Sequence, residues 1–114
     1  MNSSVDPAAL EGLRELNPDD PTFLGELIGV FLEDVPLRIA ELEKSLATSD
    51  ASLLTRAAHT IKGSCSNFGA AGLASISQEM EKQGKVSDFA GAAALLPSLK
   101  AEFALVTEAL KQYR

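Results

Sequence analysis

Residues 20–50 read DPTFLGELIGVFLEDVPLRIAELEKSLATSD, and the periodicity of this segment sets the architecture of the whole chain. Asp20-Pro21 is a helix start signal, because an Asp side chain can cap free amides and Pro is tolerated in the first helical turn. Beyond it, Leu24, Ile28, Phe31, Val35, Ile39, Leu42 and Leu46 follow one another at steps of four, three, four, four, three and four. Such spacing is the seam of a helix packed along one face. Pro36 lies inside the seam, removes one backbone hydrogen bond and is expected to kink the helix. The apolar phase holds across it, so the spacing predicts one long bent helix. Ser49-Asp50 ends that helix and caps the next.

The flanking segments carry the same grammar. Asp6-Pro7 starts a short helix with Leu10, Leu13 and Leu16 on one side, and Asn17-Pro18 stops it. A third helix is expected over residues 51–68, ended in the left-handed manner by Gly69. A fourth is expected over residues 70–83, with Leu73, Ile76 and Met80 inward and Gly84 as its stop. The fifth begins near Asp88. Its seam is Phe89, Ala92, Leu96, Leu99, Phe103, Val106, Leu110 and Tyr113, with a bend at Pro97. No strand-like alternation of useful length occurs. The expected fold is all-α, an antiparallel up-down four-helix bundle with a short additional N-terminal helix. Residues 1–5 are expected to be a flexible N-terminus and residues 6–114 a single domain.

Bulk properties narrow the function. A chain of 114 residues, 46% hydrophobic and 23% charged, has the mixture of one ordinary globular domain. Aromatics make up only 5%, so the core is aliphatic. A net charge of −6 works against nucleic acid and against anionic membranes. The single cysteine, Cys65, has no partner for an internal disulfide or a zinc site, which fits a reducing compartment. Its place on an apolar stripe reads as a buried structural thiol. Met1 to Val5 shows no signal peptide pattern, and no apolar run is expected to span a bilayer. A cytoplasmic location follows as the expectation.

One position looks chemical. With about 100° per residue and His59 set at zero, Leu54, Ala57, Ile61, Cys65 and Phe68 fall at roughly 160° to 240°. Ser52, Thr55, Lys62, Gly63 and Ser66 fall within roughly 60° of the histidine. The only histidine of the chain therefore faces solvent on a strip of small polar residues. Lys62, one turn along, can reach an anion carried by the ring. Gly63 costs about 1 kcal/mol in an exposed helix relative to alanine, which makes sense if another protein must come close. Thr55 and Ser66 flank the ring without bulk, and Arg56 stands at the edge of the strip. A neutral imidazole nitrogen is a competent nucleophile near neutral pH and can take an activated phosphoryl group. No phosphate-binding glycine loop and no kinase motif accompanies it, so the group must come from a partner.

The run Ala57-Ala58-His59-Thr60-Ile61-Lys62-Gly63-Ser64, with Asn67-Phe68-Gly69, Met80-Glu81 and the earlier Phe31-Leu32-Glu33-Asp34-Val35-Pro36, resembles the histidine phosphotransfer (HPt) domain family. The resemblance implies a four-helix bundle that relays a phosphoryl group between receiver-domain aspartates in a multistep phosphorelay, without kinase activity of its own. It implies His59 as phosphoacceptor through Nε2, Lys62 as the residue that steadies the phosphoryl group, and Gly63 as the opening for the receiver. Some members carry Gln where Glu81 stands, near the histidine. An ionised Glu cannot donate the same hydrogen bond, so Glu81 receives no phosphate role. Expected partners are receiver domains of response regulators or hybrid sensor histidine kinases, with no nucleic acid and no membrane insertion, and the protein is expected to be a monomer. It should need no cofactor of its own, the Mg²⁺ residing in the receiver. The acidic Glu33, Asp34, Glu41 and Glu43 read as a solvated face, Lys82 and Lys85 as solubilising, and apolar residues of the first helix or near Phe68 as possible receiver contacts. A helical adaptor that binds a receiver or kinase without phosphorylation is the alternative. A small-molecule enzyme ranks last for want of a polar pocket.

Overall fold

The computed structural model describes residues 4–113. Five helices follow in order: α1 (Pro7–Glu15), α2 (Phe23–Thr48), α3 (Ala51–Cys65), α4 (Ala71–Lys85) and α5 (Phe89–Leu110). Short 3₁₀ turns, Ser66–Phe68 and Lys111–Tyr113, extend α3 and α5. No strand occurs among the described residues. Helix α3 packs between α2 and α4, α5 closes against α4 and α2, and α1 lies over the Ser66–Phe68 turn. This is the expected four-helix bundle with an added N-terminal helix.

The seam of α2 performs as its spacing requires. Leu24, Ile28, Phe31, Val35, Ile39 and Leu42 are buried, Leu46 packs at the edge, and the helix runs unbroken through Pro36. From the other helices Leu54, Ile61, Leu73, Met80, Leu99, Val106 and Leu110 complete an aliphatic core. Phe31 and Phe68 meet edge to face, ring centroids 4.9 Å apart. Cys65 is fully buried within this core, and desolvation pushes its thiol up to about 12.

Side chains cap three helices at the expected places. Asp6 accepts from the Ala8 amide, Asp50 from Leu53 and Asp88 from Gly91. Three boundaries differ from the sequence expectation. Helix α2 starts at Phe23 rather than at Pro21. Asp20 instead accepts from the Thr22 amide and hydroxyl, folding a local turn before the helix begins. Gly84 does not stop α4. It lies buried inside the helix, and the chain leaves at Ser87 with φ 56°. The expected flexible N-terminus falls partly on residues 1–3, outside the described residues, while Ser4 and Val5 are buried and Val5 belongs to the core.

Gly69 is the expected left-handed stop, with φ 61°. Its missing side chain has a second consequence. The Asp6 amide donates to the Phe68 carbonyl at 3.0 Å, and a Cβ at Gly69 would collide with Asp6. The glycine thus fastens the start of α1 to the end of α3. Contrary to the sequence expectation, Phe89–Tyr113 has the length and mean hydropathy (1.4) of a membrane-crossing helix. Its outer side carries Ala90, Ala93, Ala94, Ala101 and Ala104, whereas Ala92, Leu99, Val106 and Leu110 face the core.

Candidate functional site

Helix α3 turns Leu54, Ala57, Ala58, Ile61 and Cys65 into the core, and that orientation forces His59 outward. The imidazole is 66% exposed. Its Nδ1 lies 2.9 Å from Oε2 of Glu81 on α4. The other Glu81 oxygen, Oε1, accepts from Lys62 Nζ at 2.6 Å. Lys85, one turn further along α4, places its ammonium 3.7 Å from Oε2. One carboxylate thus holds the ring and two ammonium groups together.

Glu81 reaches this place because α4 buries the face made by Leu73, Ser77, Met80, Glu81 and Gly84. Its side chain is only 8% exposed. Gly84 sets how near the two helices lie: a Cβ there would run into Thr55 Oγ1 and press on the Thr55 backbone. The hydrogen bond from Lys62 holds the Glu81 carboxyl below the ordinary carboxylate range. The bond from His59 acts in the same direction, and both prevail over the opposing effect of burial.

The protonation pattern of the ring follows from that ionisation. A carboxylate only accepts, so Nδ1 donates and carries the proton. Nε2 is then left with its lone pair. This is how a carboxylate fixes the tautomer and direction of an imidazole in other nucleophilic sites.

The remaining sequence candidates separate into two groups. Thr55 and Arg56 line, with Ser52, His59, Lys85 and Ser87, a shallow open depression of about 570 Å³ beside the ring. The Thr55 hydroxyl donates to the Ala51 carbonyl at 2.8 Å. Gly63 is exposed, and a Cβ on it would meet nothing within 4 Å. Close packing of a neighbouring helix therefore does not explain this glycine. Ser66 lies beyond α3 in the 3₁₀ turn, donates to the Gly63 carbonyl and lines no part of the depression. A second groove of about 180 Å³ runs between α2 and the end of α3, lined by Leu27, Val30, Phe31, Asp34, Ser64 and Phe68. Among the described residues, no three His, Cys, Asp or Glu side chains gather as a metal site.

Sequence reasoning missed Lys85 as a neighbour of the ring, and it set Glu81 near the histidine only through the family resemblance, without a role. Both lie on a different helix from His59, so the α3 wheel could not reveal them. The available signal was an acidic residue in phase with Leu73, Ser77 and Gly84 on the inward face of α4.

The Hpt domain family matches residues 26–113 of the chain. The crystal structure of histidine-containing phosphotransfer protein B from Pseudomonas aeruginosa PAO1 superposes with a TM-score of 0.89 at 31% identity, covering 98% of this chain and 95% of that one. No curated protein matches the chain.

Proposed function

The chain belongs to the Hpt domain family, and from that membership we propose that it relays phosphoryl groups between receiver aspartates through Nε2 of His59. The observation that carries the assignment is an exposed imidazole whose Nδ1 is held by a buried carboxylate. In the forward step the Nε2 lone pair attacks the phosphorus of a receiver aspartyl phosphate. The N–P bond forms, the P–O bond to the aspartyl group breaks, and the aspartate leaves as a carboxylate with the bonding pair. No proton has to leave Nε2. The phosphorylated ring becomes an imidazolium, and Glu81 stabilises it by accepting from Nδ1. The reverse step hands the group to a second receiver.

Lys62 lies one turn from His59 and offers its ammonium to the phosphoryl oxygens. Gly63 leaves room for the receiver, and Arg56 extends the positive rim. The groove at Leu27, Val30 and Phe68, where Val30 is 65% exposed, offers apolar contact for the same partner. Mg²⁺, which neutralises charge during transfer, is assigned to the receiver rather than to this chain. Members of the family are carriers and not kinases, and this chain is read the same way. In this reading the domain works in the cytoplasm as a monomer, with α5 as a wall of the bundle rather than a membrane span. Sedimentation velocity and vesicle flotation of the full chain check those two points.

The test is incubation with a phosphorylated receiver and Mg²⁺. Acid-labile label should appear on the wild-type chain and not on His59→Gln. Receiver binding without label, unchanged in His59→Gln, would establish the adaptor alternative instead.

A further inference from the structure

Glu81 has more positive charge around it than the resting site requires. Its carboxylate is compensated by Lys62 at 2.6 Å. Lys85, 3.7 Å away and 64% exposed, adds little to an ion pair already made. The same lysine lines the depression beside His59.

The surplus acquires a purpose when the ring is loaded. A phosphoryl group on Nε2 brings a second anion into the site, within reach of Lys62 one turn along α3. Shared between two anions, the Lys62 ammonium compensates Glu81 less fully than it does alone in the resting state. A buried carboxylate that loses its cation is costly, and it stands beside a new negative group. Glu81 must nonetheless stay ionised, because it supports the positive ring through Nδ1. Among the described residues, the other ammonium against Glu81 is Lys85.

We propose that Lys85 is a positioning residue of the phosphorylated state: it takes over as counter-ion of Glu81 when Lys62 turns to the phosphoryl group on His59. This deepens the carrier reading and rests on it. Lys85 acts through Glu81, whereas Lys62 acts on the phosphoryl group itself.

The readout is the equilibrium distribution of label between this protein and a receiver, measured with both partners dilute enough to be free. That distribution depends only on the free proteins, so any effect of Lys85 on docking drops out. Lys85→Met is expected to shift it toward the receiver by roughly three- to ten-fold, with thermal unfolding of the unlabelled protein unchanged. Lys85→Arg should restore the wild-type ratio. In a Glu81→Gln background, Lys85→Met should produce no further shift, since the charge it compensates is gone. An unchanged ratio in Lys85→Met overturns the proposal. So does a shift of the same size in the Glu81→Gln background, which would place Lys85 on the phosphoryl group directly. Failure of the carrier reading looks different: the wild-type chain takes no label, or His59→Gln takes it.

Discussion

Replacing Gly63 by leucine should make this protein more stable and nearly inactive, an uncommon combination that tests the site from both sides. Gly63 lies in the last turn of α3, which the Ser66–Phe68 turn continues, and a Cβ there meets nothing within 4 Å. The first atom of the new side chain therefore meets no collision, and the position is exposed. The substitution also restricts the unfolded chain and improves helix propensity, by about 0.8 kcal/mol for leucine over glycine. For a domain of this size that gain corresponds to a rise of about 4 °C in Tm. Gly63→Ala should rise by a similar amount.

Transfer should respond in the opposite direction. Position 63 lies roughly 40° around the helix from His59 and one turn along, on the side from which a receiver would approach. Reacting atoms must come within about 3–3.5 Å, and a displacement of about 1 Å can cost on the order of 100-fold in rate. Leucine at this place should hold the receiver off by more than that, so kcat/KM for uptake should fall at least about 100-fold. Alanine, with a single methyl, should cost far less. Urea titration or calorimetry gives the first quantity, and rapid-quench transfer from a phosphorylated receiver gives the second. If leucine destabilises the fold, the space above Gly63 is not open. If leucine is tolerated and transfer keeps its wild-type rate, the receiver does not approach across Gly63.

Other perturbations separate structure from chemistry in the same way. Gly84→Ala drives a methyl into Thr55 and should cost about 1–3 kcal/mol in urea denaturation, through overpacking of α3 against α4; a neutral result would mean the helices are free to separate. Glu81 has its folded pKa below the ordinary value of 4.5, so its contribution to stability is present above that value and is lost as pH falls through the lower folded value. The stability difference between wild type and Glu81→Gln should accordingly shrink on acidification below pH 4.5, and a difference that widens there contradicts the ion-pair arrangement. The Cys65 thiol, raised to about 12 by burial, should resist alkylation at pH 8 until the protein is unfolded. Leu54→Ala opens a cavity in the core, on the face of α3 opposite His59, and should cost about 2–5 kcal/mol; a loss below about 1 kcal/mol would show that the core can collapse around it.

The bundle was legible because its information is periodic and local. The seven-residue seam of α2 and the inward stripe of α3 each follow from spacing along one helix; the stripe and six of the seam residues are buried, with Leu46 at the edge. Boundaries were harder where two local signals compete. Asp20-Pro21 reads as a helix start, yet the Asp20 side chain satisfies Thr22 and delays the helix to Phe23. Gly84 reads as a stop, but its role is close approach between helices, which the sequence of α4 alone cannot express. Val5 joins the core only because the Asp6–Phe68 hydrogen bond brings the N-terminal segment over the end of α3. The same division runs through the site. His59, Lys62 and Gly63 share one helix face and could be placed from a wheel. Glu81 and Lys85 enter across an interhelical contact; the resemblance brought Glu81 near the ring, but its bond to Nδ1 and the place of Lys85 required the packing of α3 on α4.

The choice of a carboxylate at position 81 has consequences that an amide would not impose. An amide can turn either its oxygen or its nitrogen toward Nδ1, and so permits either tautomer. An ionised carboxylate accepts only, which commits the proton to Nδ1 and the lone pair to Nε2. The same negative charge opposes the arrival of a phosphoryl dianion close by, an effect strengthened at a poorly solvated site. A site of this kind therefore requires more than one cation. Although the chain carries a net charge of −6 and only ten Lys and Arg residues, Arg56, Lys62 and Lys85 gather around a single imidazole and its carboxylate. In the proposed relay, charge that looks incidental along the sequence becomes, once α4 is laid against α3, the means by which one ring can be both oriented by an anion and loaded with another.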